Sequence, residues 1–281
     1  MDFLGLNDLI KRSLEEDIGY GDITTMSVVG AEQYSEGLLI AKADGIIAGL
    51  EVARAVFDQL DPESIFTSLM KDGSPVSAGS EIARVKGRSR ALLSAERTAL
   101  NFLQHLSGIA TQTHQLTELI KDYPAQLLDT RKTTPGLRVL EKYAVAAGGG
   151  RNHRFGLYDG VMIKDNHIIA AGGISQAVAM ARAKVPHTLK IEVEVENLVQ
   201  LQEALEAGAD IIMLDNMSPA VMQEAVAIAA GRALLEASGG IKAANLVEVA
   251  QTGVDFISMG ALTHSAASLD ISFNLYHFSI T

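Results

Sequence analysis

The 281-residue chain contains no cysteine and no tryptophan, and aromatic residues make up only 5% of it. Without cysteine there is no disulfide framework, no thiolate nucleophile and no Cys-ligated zinc. No stretch approaches the roughly eighteen consecutive apolar residues of a membrane span. The opening residues, MDFLGLNDLIKRSLEEDIGYGD, lack an apolar segment and are rich in acids, so a secretory leader is not expected. Positive charge is scarce: 23 Lys and Arg stand against 34 Asp and Glu, a net charge of -11. A surface of that sign repels nucleic acids and anionic membranes, so neither is an expected partner and the expected location is cytoplasmic. Several catalytic signatures are missing as well. No Walker A loop or GxGxxG follows a strand-like segment, the seven His residues form no HExxH or HxH pair, and no serine sits in a GxSxG elbow.

Hydrophobic residues form 48% of the chain, enough for a sizeable core. Two textures divide it. The first, to about residue 109, opens with Leu6, Leu9, Ile10 and Leu14 at helical spacing, with Asn7 or Asp8 available as the cap. LLIAKADGIIAGL then reads as two strands around an Asp-Gly turn, a hairpin signal. EVARAVFDQL reads as a helix, and KDGSPVSAGSEIARVKGRSR as turns and one strand. AERTALNFLQHLSGIATQTHQLTELI is a long helical stretch with an interruption expected at Ser107 and Gly108.

From about residue 125 the texture changes to short apolar runs alternating with helical segments, the mark of a parallel sheet. Six runs end in a chemically useful residue: Arg131, Lys164, Glu194, Asp215, Ser238 and Gly260, spaced by 33, 30, 21, 23 and 22 residues. Strand ends that converge on one mouth favour a β/α barrel over an open sheet. Six strands and one uncertain segment fall short of a full barrel, so an incomplete one is expected.

The stretch from Leu128 to His167 gathers Arg131, Lys132, Arg138, Arg151, His153, Arg154 and Lys164 around a Gly triplet. Each alone reads equally well as a solvated surface charge. Together, at adjacent strand ends of an acidic protein, they repel one another unless an anion sits among them. Arginine grips carboxylate or phosphate with a planar fork, and lysine adds a point charge. A small, multiply anionic ligand is therefore expected. Glu194 and Asp215 oppose this wall and can meet Mg²⁺ or sugar hydroxyls. By alternation Glu192 and Glu196 share the face of Glu194, so the pattern does not choose among the three. Pro135 suits the first turn of a helix after the Arg131 strand end. The small residues of EASGGI and SMGALT suit a phosphate cradle in the last strand-to-helix loops.

In order, DTRKTTPGLR, GGGRNHRFGLYDGVMIKDNH, EVEVEN, LDNM, EASGGI and VDFISMGALTHS resemble the quinolinate phosphoribosyltransferases, also called nicotinate-nucleotide pyrophosphorylases (carboxylating). EEDIGYGDITT and SAERTALNFLQHLSGIATQTH extend the likeness over nearly the whole chain; Ala146-Ala147 departs from it, where charged or Cys-containing pairs are common. The resemblance implies an α/β fold: an N-terminal α/β sandwich over residues 1–109, rejoined by the tail 268–281, and an incomplete, seven-stranded β/α barrel over 110–267. It implies a pentosyltransferase of NAD biosynthesis that joins quinolinate to the phosphoribosyl group of phosphoribosyl pyrophosphate (PRPP) with loss of CO₂. Mg²⁺ would enter with PRPP, partly through Glu194 and Asp215, and no organic cofactor is implied. Carried over, Arg131, His153, Arg154 and Lys164 would hold quinolinate, with Thr130 and Lys132 flanking that pocket and Arg97 arriving from the second subunit of a homodimer. Ser238, Gly239, Gly240 and Gly260 would cradle the 5′-phosphate. Lys132, Lys164, Glu194 and Asp215 would form the catalytic group. Three rivals share parts of this pattern. A paralogue tied to molybdenum transport lacks the lysine of IKDNH; a nicotinate phosphoribosyltransferase needs fewer cations; a non-catalytic anion binder would not need Glu194 and Asp215.

Overall fold

A computed structural model describes residues 5–277, which divide into two compact units. The first comprises residues 5–112, Ala146–Gly149 and 266–277; the second comprises Thr113–Val145 and Gly150–Ser265. Residues 278–281 of the expected returning tail lie outside the described residues.

The first unit runs α1 (Leu6–Ile18), α2 (Ile23–Val28), β1 (Tyr34–Ala41), β2 (Gly45–Ile46), α3 (Leu50–Leu60), β3 (Ile65–Ser68), β4 (Pro75–Val76), β5 (Glu81–Arg88) and most of α4 (Ser89–Leu119). Helix α1 buries Leu6, Ile10 and Leu14, but Gly5 holds its N-cap position and no side chain caps it, so neither Asn7 nor Asp8 serves. The expected hairpin does not form. Strand β1 pairs antiparallel with β5 and with the C-terminal strand Ile271–His277, while β2 pairs with β4. Asp44 of the Asp-Gly turn instead accepts the Ala78 amide at 2.9 Å, drawing its turn toward β4. Phe57 on α3 meets Phe66 and Phe273, with ring centroids 6.1 and 5.9 Å apart, at the centre of a core with Leu39, Val56, Ile82 and Val85.

Helix α4 is continuous through Ser107 and Gly108, against the expected interruption. Ser107 Oγ accepts the Ala48 amide at 3.0 Å, so its hydroxyl is used in packing. A Cβ on Gly108 would lie 2.1 Å from the Ala267 carbonyl oxygen. These small residues let two other segments cross the helix closely.

The second unit alternates strand and helix as expected: β6 (Gln126–Leu128), α5 (Arg138–Ala147), β7 (Val161–Ile163), α6 (Asp165–Ala171), α7 (Ile174–Arg182), β8 (Ile191–Val195), α8 (Leu198–Glu206), β9 (Ile211–Asp215), α9 (Pro219–Ala229), β10 (Leu234–Ser238), α10 (Ala243–Ala250), β11 (Phe256–Ser258) and α11 (Ala261–His264). Pro135 lies in the turn before α5 rather than in its first turn, and α6 was not foreseen. The strands form one parallel sheet in the order β6-β11-β10-β9-β8-β7. Its first two strands in sequence thus stand at opposite edges. A seventh position is held by one residue, Arg151, bridged in parallel to Leu128 of β6. All six strands contribute to the lining of one 510 Å³ cavity, so the sheet curves around it. Alternation sends Val193, Leu214 and Ala237 into the apolar layer beneath the helices.

Candidate active site

A second cavity, of about 650 Å³, opens among the C-terminal ends of the parallel strands. Thr130, Arg131 and Lys132 reach it from the turn after β6, where Thr130 Oγ1 accepts the Lys132 amide at 3.0 Å. His153 and Arg154 enter from the loop after α5, and Lys164 from the end of β7. Glu194 of β8 and Asp215 of β9 stand opposite, and Ser238, Gly239 and Gly240 follow β10. Five of the seven cations singled out in sequence therefore share one cavity. Arg138 does not: its guanidinium donates to Thr133 Oγ1 and to the carbonyls of Phe155 and Arg131, bracing the two loops. Arg151 lines the 510 Å³ cavity instead.

Two expected residues lie outside the lining. Gly260 sits beside it, where a Cβ would come within 2.8 Å of Lys132 Cδ, so the missing side chain gives the lysine stem its path. Arg97 is exposed on α4 in the first unit, whereas the lining comes entirely from the second.

The structure separates the three glutamates that sequence left equivalent. Glu196 is exposed beyond β8. Glu194 accepts from Lys164 Nζ at 2.5 Å within the cavity. Glu192 is buried one repeat deeper, where His153 Nε2 lies 3.1 Å from it and 3.6 Å from Glu236 of β10. These three groups form the one His and carboxylate cluster among the described residues that is close enough for a metal ion. Their hydrogen bonding argues against that use. The Arg154 amide donates to His153 Nδ1 at 2.7 Å, which makes Nδ1 an acceptor and leaves the ring proton on Nε2, directed at the carboxylates. Burial, then the Glu192 charge, pushes the Glu236 carboxyl up to about 7. Burial lowers His153, but the hydrogen bond to Glu192 and the Glu236 charge outweigh it and raise the ring overall. Glu236 thus holds its proton well above the ordinary carboxylate range.

Beneath the cavity lies a second buried set. Lys142 of α5 pairs with Asp129, which follows β6, and both are fully buried. Burial pushes Asp129 up and Lys142 down, yet three donors converge on that carboxylate: Lys142, the Asn152 amide group and the His153 backbone N–H. At the rim, burial and then the neighbouring Arg131 lower Arg154 from its ordinary value. Crowded guanidinium groups of this kind favour an arriving anion. Asp159 is exposed; what burial it has would raise its carboxyl, but the amides of Phe155 and Gly156 outweigh that, draw it down as a carboxylate and close the loop.

Sequence reasoning missed Glu236, Asp129, Lys142 and Asn216. Glu236 carried a signal, standing two residues before Ser238 on the same strand face. Asn216 lines the cavity with a left-handed φ of 56°, and its side chain donates to Asp215 at 2.8 Å. A Cβ on Gly239, itself at φ 90°, would lie 2.2 Å from the Asn216 side chain, so glycine is required there. Lys142 carried no signal, since a lysine within a helix reads as a solvated face.

Cations and carboxylates converging at the C-terminal ends of parallel strands define an enzyme of the β/α type that handles small polyanions. Comparison with known proteins is more specific. The family model for the quinolinate phosphoribosyl transferase C-terminal domain matches residues 109–274, and that for the N-terminal domain matches 22–107. The chain belongs to the quinolinate phosphoribosyltransferase family. It is 48% identical over 275 residues to a probable nicotinate-nucleotide pyrophosphorylase [carboxylating] of Bacillus subtilis, covering 98% of this chain and 95% of that protein. NadC from Streptococcus pyogenes superposes with a TM-score of 0.95 at 43% identity, covering 99% of this chain and all of that one. The corresponding enzyme structure from Francisella tularensis gives 0.92 at 46% identity over 96% of each chain.

Proposed function

We propose that this protein transfers the phosphoribosyl group of PRPP to quinolinate, giving nicotinate mononucleotide, CO₂ and diphosphate in de novo NAD biosynthesis. The observation that carries the reading is the convergence of Arg131, Lys132, His153, Arg154 and Lys164 on one cavity that also holds Glu194 and Asp215. The substrates together bring two carboxylates, a phosphate and a diphosphate, which explains a cationic cavity in an acidic protein. Arg131, Arg154 and Lys164 grip the dicarboxylate, and Thr130 flanks it. His153, with both ring nitrogens engaged inside the protein, supports this grip from below. Ser238, Gly239 and Gly240 cradle the 5′-phosphate, with Gly260 making room for Lys132.

As diphosphate leaves, positive charge develops at the ribose carbon and the pyridine nitrogen attacks it. Lys132 and Lys164 offset the negative charge growing on the leaving group, while Glu194 and Asp215 favour the cationic sugar. The pyridinium formed draws in the electron pair of the adjacent carbon–carboxylate bond, so CO₂ departs with little further help and the ring carbon left with that pair takes up a proton from water. Positioning and electrostatics carry the reaction without a covalent nucleophile. Glu194 and Asp215 each accept from one neighbour, Lys164 and Asn216, on a single oxygen. Each keeps a second hard oxygen for Mg²⁺, which suits an ion held mainly by substrate phosphates. Bound there, Mg²⁺ would neutralise diphosphate charge.

The unit that carries Arg97 does not line the cavity, which supports a homodimer with shared sites in which Arg97 completes the partner's cavity. Exposed Tyr20, Ile23, Met26 and Val28 on the first unit, and Leu157 and Tyr158 on the second, offer apolar surface for such an interface. No helix among the described residues is long and apolar enough to cross a membrane.

The test is formation of CO₂ and nicotinate mononucleotide from quinolinate, PRPP and Mg²⁺, with nicotinate as a parallel substrate and phthalate as competitor. Product from quinolinate alone, suppressed by phthalate, is expected. Product from nicotinate instead would return the protein to the monocarboxylate reading.

A further inference from the structure

Loops that follow glycine runs have little stiffness of their own, yet the loop carrying His153 and Arg154 follows Gly148–Gly150. Something outside it must hold it. Lys142 Nζ donates to Asp129 and to the His153 carbonyl, the latter at 3.0 Å. Asp129 accepts the His153 amide at 2.9 Å, so both backbone groups of His153 are tied to one buried ion pair. The Asn152 side chain donates to Asp129 at 2.6 Å and to the Lys142 carbonyl at 2.7 Å. Lys142 also lies 5.2 Å from the centre of the Phe155 ring. Strand β6, helix α5 and the loop therefore meet at this pair, which lines neither cavity.

A buried ion pair is seldom worth more to stability than apolar side chains of similar volume. Its charges are suited to geometry instead. An ammonium can donate to a carboxylate and a carbonyl at once, and a carboxylate can accept from three donors. We infer that Asp129 and Lys142 are positioning residues: they fix the backbone of Asn152 and His153, and so the reach of Arg154 into the cavity, without meeting substrate. Arg154 leaves the fixed segment by the next peptide bond, with its amide on His153 Nδ1 and its guanidinium on the Gly160 carbonyl at 3.0 Å. The inference rests on the reading of Arg154 as a quinolinate ligand.

The decisive variant is Asp129→Leu/Lys142→Met, which removes both charges together and leaves neither orphaned. Three quantities are compared with the wild type: thermal stability, steady-state kinetics and amide hydrogen exchange. The amides of Arg151 and Arg154 are informative because their acceptors, the Leu127 carbonyl and His153 Nδ1, do not belong to the pair. The folded variant should exchange both amides ~10-fold faster while the β9 amides keep their protection, and its KM for quinolinate should rise ~10-fold, with kcat and the KM for PRPP changed less than ~3-fold. Unchanged exchange at Arg151 and Arg154 in the folded variant overturns the proposal whatever the kinetics. Should the double variant not fold, Asn152→Ala keeps the pair and cuts only its tether. It should show faster Arg154 exchange and a ~3-fold higher KM for quinolinate, and no change in exchange again overturns the proposal. A wild-type protein that does not turn over quinolinate would refute the functional reading instead, and amide exchange would still decide the positioning role.

Discussion

Lys164 and Lys142 both pair with a carboxylate at or near the end of a parallel strand, one at the rim of the cavity and one buried outside its lining. Lys164 keeps 43% of its side chain exposed and pairs with Glu194, itself 16% exposed. Lys142 and Asp129 keep none. The rim pair can exchange its partner for an arriving anion, because water and the cavity cover the change. The buried pair cannot release either member without leaving an uncompensated charge. The same contrast separates Glu194 from Glu192 on one strand face. Charge type alone does not distinguish a cavity-lining group from a scaffold group; burial does.

The largest expected effect comes from breaking the rim member. Lys164→Ala should lower kcat/KM for quinolinate by ~10³-fold or more, since it removes a charge-assisted contact to both substrate and leaving group. Its partly exposed pair contributes about 0–1 kcal/mol to folding, so the melting curve should barely move. Lys142→Met alone should show the reverse emphasis, losing about 3–5 kcal/mol of stability because Asp129 is left buried and unpaired. Urea denaturation and initial rates on the two variants check the contrast. Equal stability losses, or near-normal rates for Lys164→Ala, would dissolve it.

A smaller effect sharpens the comparison through pH. The Glu236 carboxyl is raised from 4.5 to about 7, so between those values the folded state binds a proton that the unfolded state has released. The sign follows: this contribution is fully present below pH ~4.5 and is lost as pH rises through about 7. Wild-type stability should therefore fall across that window by on the order of 3 kcal/mol from this group. Glu236→Gln, which imitates the protonated form, should flatten the fall and be the more stable protein at pH 8. Parallel unfolding curves for both proteins from pH 5 to 8 would count against a raised Glu236 carboxyl.

Much of this arrangement was legible in the sequence because it is periodic. Six strands, their order of appearance and the cavity-lining ends at Arg131, Lys164, Glu194, Asp215 and Ser238 follow from short apolar runs that stop at a charged or small residue. Tertiary partners overruled the local signals elsewhere. The Asp-Gly turn at Asp44 resembles a hairpin, but its carboxylate finds the Ala78 amide, and β2 pairs with β4. Ser107-Gly108 looks like a helix break, but other segments fill the space that small residues leave on an unbroken α4. The floor of the site was least visible. Lys142 and Glu141 sit in a helix where two adjacent charges signal a solvated face, and both are buried. The three-dimensional convergence of α5, β6 and the Asn152 loop explains Lys142, while Glu141 accepts the Thr134 amide at 3.1 Å in the turn before α5.

Arg97, exposed on α4 and outside the cavity lining, is the charge that the proposed homodimer would bring to the rim from the partner subunit. With sites shared across a homodimer, Arg97→Ala and Arg154→Ala subunits are each inactive alone. A mixed dimer then holds one site with both lesions and one with neither. Random exchange at equal amounts makes half the dimers mixed, each with one intact site of two, so activity should recover to about a quarter of wild type. The measurement is turnover after the two variants are unfolded and refolded together, with mixed dimers verified by differently tagged subunits. Recovery near that fraction places Arg97 in the partner's cavity, because no arrangement confined to one chain can assemble an unbroken site from two broken ones. Verified mixed dimers without activity would confine the site to one chain and leave Arg97 as an ordinary exposed residue of α4.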